Sequence, residues 1–263
     1  MTFYRATLAY DGTAYYGFQR QREGMPSIQE RVERAVATVT QQTVTITGAG
    51  RTDTGVHATG QVIAFEVEWG HDSDDLLRAV NAVLPEDIAL LDLAALPQGT
   101  RFHPRFDAVS RVYTYTILQA PTRQPLMRQR AWRVHQPLDM RAMSIAGELL
   151  IGTHDFASFG KPPQGDITIR DVMISRWDNV EGLKEAPGAQ VWMYTIEANA
   201  FLQHMVRRIV GALVDVGRGS RTVSEFEAMF RAARLMPNWT TAPPQGLVLT
   251  SVKYPDRPST TLD

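Results

Sequence analysis

Apolar and polar residues alternate along Phe3–Tyr10, the period of a half-buried strand. From Ile28 the period changes, and Ile28, Val32, Ala35, Val36 and Val39 fall on one helical stripe. Ser27 stands at the cap position with Glu30 three residues on, the signature of a capping box, and Pro26 precedes it. Thr43–Thr47 and Gln61–Val67 read as strands. Helical spacing returns over Ser73–Leu84, with Leu76, Leu77, Val80 and Leu84 inward, and Ile88–Leu93 reads as a strand. The predicted order is β-α-β-β-α-β, a ferredoxin-like unit.

The second half predicts the same order. Arg111–Leu118 is a strand, and Met140–Leu150 is a helix with Met143, Ala146, Leu149 and Leu150 inward. Val172–Asn179 and Val191–Ala198 are strands, Gln203–Val216 a helix and Leu247–Tyr254 a closing strand. A further helix should follow the second capping box, Thr222 to Glu225. The repeat is architectural, since the halves share no obvious sequence. The expected fold class is therefore α+β, with two ferredoxin-like βαββαβ halves whose sheets join side by side around a central cleft. Binding sites tend to lie in such clefts. The connection from Leu96 to Ser110, with Pro97, Gly99 and Pro104, marks the boundary between expected domains 1–105 and 106–263. Gly160–Asp166 reads as a flexible surface loop and the chain after Pro255 as a frayed tail.

Composition narrows the chemistry. The 44% hydrophobic and 21% charged content is ordinary for a soluble globular protein. No apolar run approaches the roughly 18 residues of a membrane span, and no signal pattern opens the chain. The chain has no cysteine, which removes disulfides, thiolate catalysis and iron–sulfur ligation and fits a reducing cytoplasm. The six histidines show no metal-ligand spacing, and neither a P-loop nor a Rossmann glycine pattern is present. The triplet His154-Asp155-Phe156 reads as a turn and a core aromatic.

The net charge of -1 hides an uneven distribution. Only Lys161, Lys184 and Lys253 of the 27 basic residues are lysine; the rest are arginine, whose planar fork suits phosphates and stacks on bases. Arg101, Arg105, Arg111, Arg123, Arg128, Arg130 and Arg133 face a single acid, Asp107, and Phe102, Phe106, Tyr113, Tyr115 and Trp132 are interleaved with them. That stretch is a candidate polyanion-facing surface. A solvated arginine-rich face over a sheet is the competing reading.

Two places suggest a reactive centre. The run Gly48–His57 holds Asp53 two positions after Arg51 in a glycine-rich loop. A carboxylate so placed can act as a nucleophile, with the guanidinium favouring its ionised form; an Asx-turn beside a solvated Arg51 accounts for the same residues. On the Gln203–Val216 helix, Arg207 stands over Val210, Gly211 and Val214. A guanidinium among apolar neighbours needs an anion, and Asp53 is one candidate; snorkelling to the surface is the alternative.

Gly50-Arg51-Thr52-Asp53-Thr54-Gly55-Val56-His57-Ala58 followed by Gly60-Gln61-Val62 resembles the active-site signature of the TruA family of tRNA pseudouridine synthases. Similar matches are Arg111–Tyr115, His154–Phe159, Phe201–Gly211, Gly246–Leu249 and Tyr254–Asp256, covering essentially the whole chain in order. Thr54 departs from the usual Ala, and Gly160 stands where Arg is frequent, which weakens any substrate contact there. The resemblance implies the pseudouridine synthase fold and a cytoplasmic homodimer that isomerises uridines 38, 39 and 40 in the tRNA anticodon arm, without cofactor or metal. It implies Asp53 as nucleophile, Tyr113 packing on the target base, Arg51 and Arg207 orienting Asp53 and the flipped nucleotide, and Leu247 lining the pocket. A non-catalytic tRNA-binding chaperone and an Asp53-dependent glycosidic hydrolase are the alternatives.

Overall fold

The computed structural model describes residues 1–162, 165–181, 183–235 and 238–255. The expected tail after Pro255, and Pro163 and Gln164 within the expected loop, lie outside them. The chain is α+β. In the first half, β1 (Thr2–Tyr10), α1 (Ile28–Thr40), β2 (Thr47–Gly48), β3 (His57–Val67), α2 (Ser73–Val83) and β4 (Ile88–Ala95) follow in order. The second half has β5 (Ser110–Gln119), β6 (Trp132–Val134), α3 (Met140–Glu148), β7 (Gly152–Asp155), β8 (Ile169–Val180) and β9 (Gln190–Ala198). Helices α4 (Met205–Gly217) and α5 (Val223–Arg231) and strand β10 (Leu247–Lys253) complete it.

All ten strands form one sheet in the order β4-β1-β3-β10-β5-β9-β8-β7, with β2 on β3 and β6 on β5. Within the first half the order is β4-β1-β3-β2, all antiparallel, and within the second β10-β5-β9-β8, again antiparallel. The two halves meet at one parallel seam, where His57 pairs with Val248 and Ala58 with Leu249. The last strand of the chain thus docks beside the residues that open β3. A single apolar core runs through both halves, from Tyr4 to Val252. A smaller cluster of Leu118, Ala120, Met127, Ala131, Ala186 and Val191 underlies the segment after β5. No helix among the described residues is long and apolar enough to cross a membrane.

Local signals explain most boundaries. The α1 stripe is buried at Ile28, Val32, Ala35 and Val36, each larger side chain worth about 1.5–3 kcal/mol of transfer free energy. Thr222 and Glu225 form the reciprocal capping box at α5. At α1 only Ser27 caps, accepting from Glu30 N–H, while the Ile28 and Gln29 N–H groups donate to the carbonyls of Gly17 and Phe18. Gly17 and Phe18 therefore complete the helix end. One strand differs from expectation: of Thr43–Thr47, only Thr47 pairs, opposite Ala64 of β3, and Gly48 follows it opposite Ile63. Val44 and Ile46 are buried and supply the apolar pattern, yet the Ile46 N–H donates to the Glu33 side chain instead of a strand. The short strands β6 and β7 carry too few residues for a period to register.

The β5, β9 and β10 strands are tied at one point by Glu197. Its carboxylate accepts from the Ser110 hydroxyl at 2.6 Å and the Lys253 ammonium at 2.8 Å. Burial pushes its pKa up, but the Lys253 and Ser110 contacts outweigh that and hold it below the ordinary 4.5. A carboxyl more acidic when folded contributes stability above the unfolded pKa and loses it as pH falls through the folded one. Urea unfolding between about pH 6 and pH 3 should thus lose less stability in Glu197→Gln than in the parent; parallel curves would remove Glu197 from the acid response.

Candidate active site

The glycine-rich loop leads from β2 into β3 and ends at the seam between the halves. Residues 10–18 grip its backbone. Phe18 N–H donates to the Thr52 carbonyl at 3.1 Å, and the Tyr10 and Thr52 hydroxyls lie 2.8 Å apart. Gly17 has φ +88°, and a Cβ there would come within 2.7 Å of the Thr52 carbonyl oxygen. Both conformation and space demand glycine. Val56 N–H closes the turn on the Asp53 carbonyl at 3.1 Å, and the Gln61 side chain donates to the Gly50 carbonyl at 2.8 Å.

His57 secures the loop's exit. Its Nδ1 accepts from Gly12 N–H at 3.1 Å, and its Nε2 lies 3.2 Å from the Gln245 carbonyl. A hydrogen on Nε2 satisfies both contacts. Asp11 Oδ1 is 3.1 Å from the same Nδ1. Burial raises the Asp11 pKa, but hydrogen bonds from the Thr13 side chain and backbone, with Arg130 nearby, bring it below the ordinary value.

Asp53 itself is 31% exposed and faces two groups from the other half. Arg207 Nη1 is 3.4 Å and His204 Nε2 3.5 Å from its Oδ2. Both residues stand at the start of α4, where the helix dipole also favours negative charge. The guanidinium is 17% exposed and is turned toward the carboxylate by an Nε–H bond to the Ala242 carbonyl at 2.8 Å. His204 was not singled out from sequence for this place. It caps α4 at φ 62°, a left-handed conformation that no periodic pattern announces.

Tyr113 is buried and meets the Phe201 ring edge-on, with centroids 5.1 Å apart. Burial first, then nearby Tyr10 and Asp53, push its pKa far above the ordinary value, against a smaller opposing effect of Arg111. The side chain is thus a neutral phenol at neutral pH. Leu247 is buried at the first position of β10, opposite Tyr115. Arg51 is exposed, and among the described residues no hydrogen bond or ion pair joins it to Asp53. Thr52, the buried anchor, stands between them and leaves Arg51 on the solvent side.

The arginine-rich stretch does not form one exposed surface. Arg111 is buried and donates to the carbonyls of Ala108, Asn199, Ala49 and Arg105. It fixes the base of the glycine-rich loop to the domain connection and to the chain after β9. Tyr115 is fully buried and offers no face to a base, and Tyr113 is only 8% exposed. The ten residues of β5, roughly 30 Å of extended chain, separate Arg101 and Arg105 from Arg123, Arg128 and Arg130. Neighbours in sequence became two groups because a strand crosses the sheet between them. Phe106, 71% exposed, lies against His103 with ring centroids 4.2 Å apart and planes tilted by 34°, and Arg105 sits over its ring. Among the described residues no three His, Asp or Glu side chains gather as metal ligands would.

Residues 6–107 and 146–255 match the family model described as tRNA pseudouridine synthase. A tRNA pseudouridine synthase A of Neisseria meningitidis is 40% identical over 251 residues, covering 95% of this chain and 91% of its own. Proteins of the same name from Syntrophotalea carbinolica and Methylacidiphilum infernorum are 39% and 36% identical, with 97% and 96% of this chain covered and 97% and 95% of theirs.

Removing the Arg111 fork leaves four carbonyls short of a donor. Arg111→Met should lower the unfolding free energy by about 2–4 kcal/mol in urea titrations. Arg111→Lys should recover less than half of that, because an ammonium cannot span the same acceptors. Stability within about 0.5 kcal/mol of the parent in the Met variant would show that the carbonyls are satisfied elsewhere.

Proposed function

The chain belongs to the tRNA pseudouridine synthase family, and on that premise we propose that it isomerises uridines 38, 39 and 40 of the tRNA anticodon arm with Asp53 as nucleophile. The observation that carries this reading is the meeting of Asp53 with Arg207 and His204 across the seam. A carboxylate from one half faces cations or donors from the other, and a substrate entering there contacts both. The strand orders β4-β1-β3-β2 and β10-β5-β9-β8 support reading each half as ferredoxin-like, with domains 1–105 and 106–263 and a cleft between them. The working unit in this reading is a cytoplasmic homodimer that needs no cofactor.

The chemistry is an internal rearrangement. The N1–C1′ bond breaks, the detached uracil turns, C5 bonds to C1′, and the proton displaced from C5 is replaced by one at N1. No redox step or group acceptor is required. The target base must first leave its stack. Tyr113 then packs on it, Leu247 closes the pocket and Arg207 holds Asp53. The phenol of Tyr113 stays protonated, which leaves Asp53 as the better acceptor for the C5 proton. Arg51, exposed at the loop, is free to meet a phosphate or the displaced nucleotide strand.

Asp53→Asn should abolish pseudouridine formation on unmodified tRNA while leaving tRNA affinity within about tenfold. Retained turnover would remove Asp53 from the chemistry. Free uracil from the parent enzyme would indicate hydrolysis, and tight tRNA binding with neither product would indicate a chaperone.

Neutralising Arg123, Arg128 and Arg130 together tests the RNA surface. The slope of log affinity against log salt should flatten by about one unit for each phosphate contact removed. An unchanged slope would locate phosphate binding elsewhere, and Arg101 with Arg105 is then the group to remove.

A further inference from the structure

Residues 240–246 run from α4 to the glycine-rich loop, and each successive anchor comes from a different part of the molecule. Asp215 receives both the Thr240 N–H at 3.1 Å and the Thr240 hydroxyl at 2.7 Å. Arg207 and Ala242 exchange two bonds: Ala242 N–H donates to the Arg207 carbonyl at 3.0 Å, and Arg207 Nε–H donates back at 2.8 Å. The Tyr115 hydroxyl donates to the Pro243 carbonyl at 2.7 Å, and His57 Nε2 lies 3.2 Å from the Gln245 carbonyl. Pro244 packs on Gly55, two residues beyond Asp53.

Arg207, Gly211 and Asp215 are spaced by four and share one face of α4. The segment lies along that face at backbone contact distance. A Cβ on Gly211 would sit 1.9 Å from the Thr240 carbonyl oxygen, so only glycine lets the segment lie this close. Asp215 is buried, no ion pair is formed by its carboxylate among the described residues, and Thr240 takes both of its oxygens. A buried carboxylate is costly unless hydrogen-bonded, and among the described residues its hydrogen bonds go to the strap alone.

We propose that residues 240–246 are a strap that aims Arg207 at Asp53, and that Asp215 is its far anchor and a positioning residue for the reaction. The physical reason is the freedom of an arginine side chain, which costs about 2 kcal/mol of rotamer entropy to fix. The Nε bond to Ala242 sets the plane of the guanidinium, and Nη1 then points at Asp53. Ala242 can set that plane only while its own position is held, at one end by Asp215 through Thr240 and at the other by Tyr115 and His57. This rests on the roles given to Asp53 and Arg207 above.

The test compares kcat and KM for pseudouridine formation on unmodified tRNA in Asp215→Asn, Thr240→Val and Thr240→Ser, each also made in an Arg207→Lys background. Lysine cannot bond Ala242 and Asp53 through two separate nitrogens, so the strap has nothing left to aim. Asp215→Asn and Thr240→Val should each lower kcat about tenfold with KM within about twofold, and Thr240→Ser, which keeps the hydroxyl, should stay near the parent. In the Arg207→Lys background the same changes should cost less than about twofold, the non-additivity of residues acting through one another. Unchanged kcat in Asp215→Asn and Thr240→Val overturns the proposal, and so does the full loss repeated in the Arg207→Lys background, which would mark a purely structural role. Should Asp215→Asn fail to fold, the Thr240 pair decides. A parent enzyme that forms no pseudouridine would instead overturn the functional reading, a result separate from any of these.

Discussion

The parallel contact between the start of β3 and β10 is two residue pairs long, and the candidate site exists because of it. Asp53 belongs to the loop entering β3, while Arg207 and His204 belong to a helix of the other half. Without the pairing of His57 with Val248 and Ala58 with Leu249, nothing in the sheet would hold the carboxylate within 3.4 Å of the guanidinium. So short a ladder is weak by itself. The seam holds because side chains on both sides are used to bridge it.

Those bridges share a chemical style. Arg111 directs a guanidinium N–H at the Ala49 carbonyl and His57 its ring at the Gln245 carbonyl across the seam, while Arg207, set by the Ala242 carbonyl in its own half, reaches Asp53. Within each half, Tyr10 reaches Thr52, and Tyr115 reaches Pro243, steadying the segments that meet there. Bonds to backbone fix where the chain runs, whereas bonds between flexible surface side chains fix little. Their burial makes each one costly to break without a substitute partner. The result is a rigid frame around a carboxylate that is still open to a substrate.

Rigidity suits the reaction proposed. An isomerisation that returns every heavy atom to the same molecule gains from orientation and from charges set in advance. The detached base must turn without escaping, and a site assembled from two fixed halves can hold base and sugar separately. The exposed arginines play another part. They lie in two groups on either side of β5.

Much of this was readable along the chain. The period of two in Phe3–Tyr10 and the helical stripes from Ile28 and Ser73 reflect which side of an element meets the core, which is a local property. Arg207 on an apolar helix face already called for an anion unless it snorkelled to the surface, since desolvation penalises an unpaired charge. What could not be read was the choice among partners. Val44 and Ile46 are apolar because they are buried, and only the folded molecule shows Ile46 bonded to Glu33 instead of to a strand. Arg111 looked like one of seven similar cations, yet its acceptor on Asn199 lies 88 positions away. His204 and Asp215 carry no spacing that marks them, and their roles arise from a left-handed cap and a strap packed on Gly211. Periodicity along a chain records burial; which donor meets which acceptor is decided when distant segments are brought to hydrogen-bond distance, and only the tertiary structure does that.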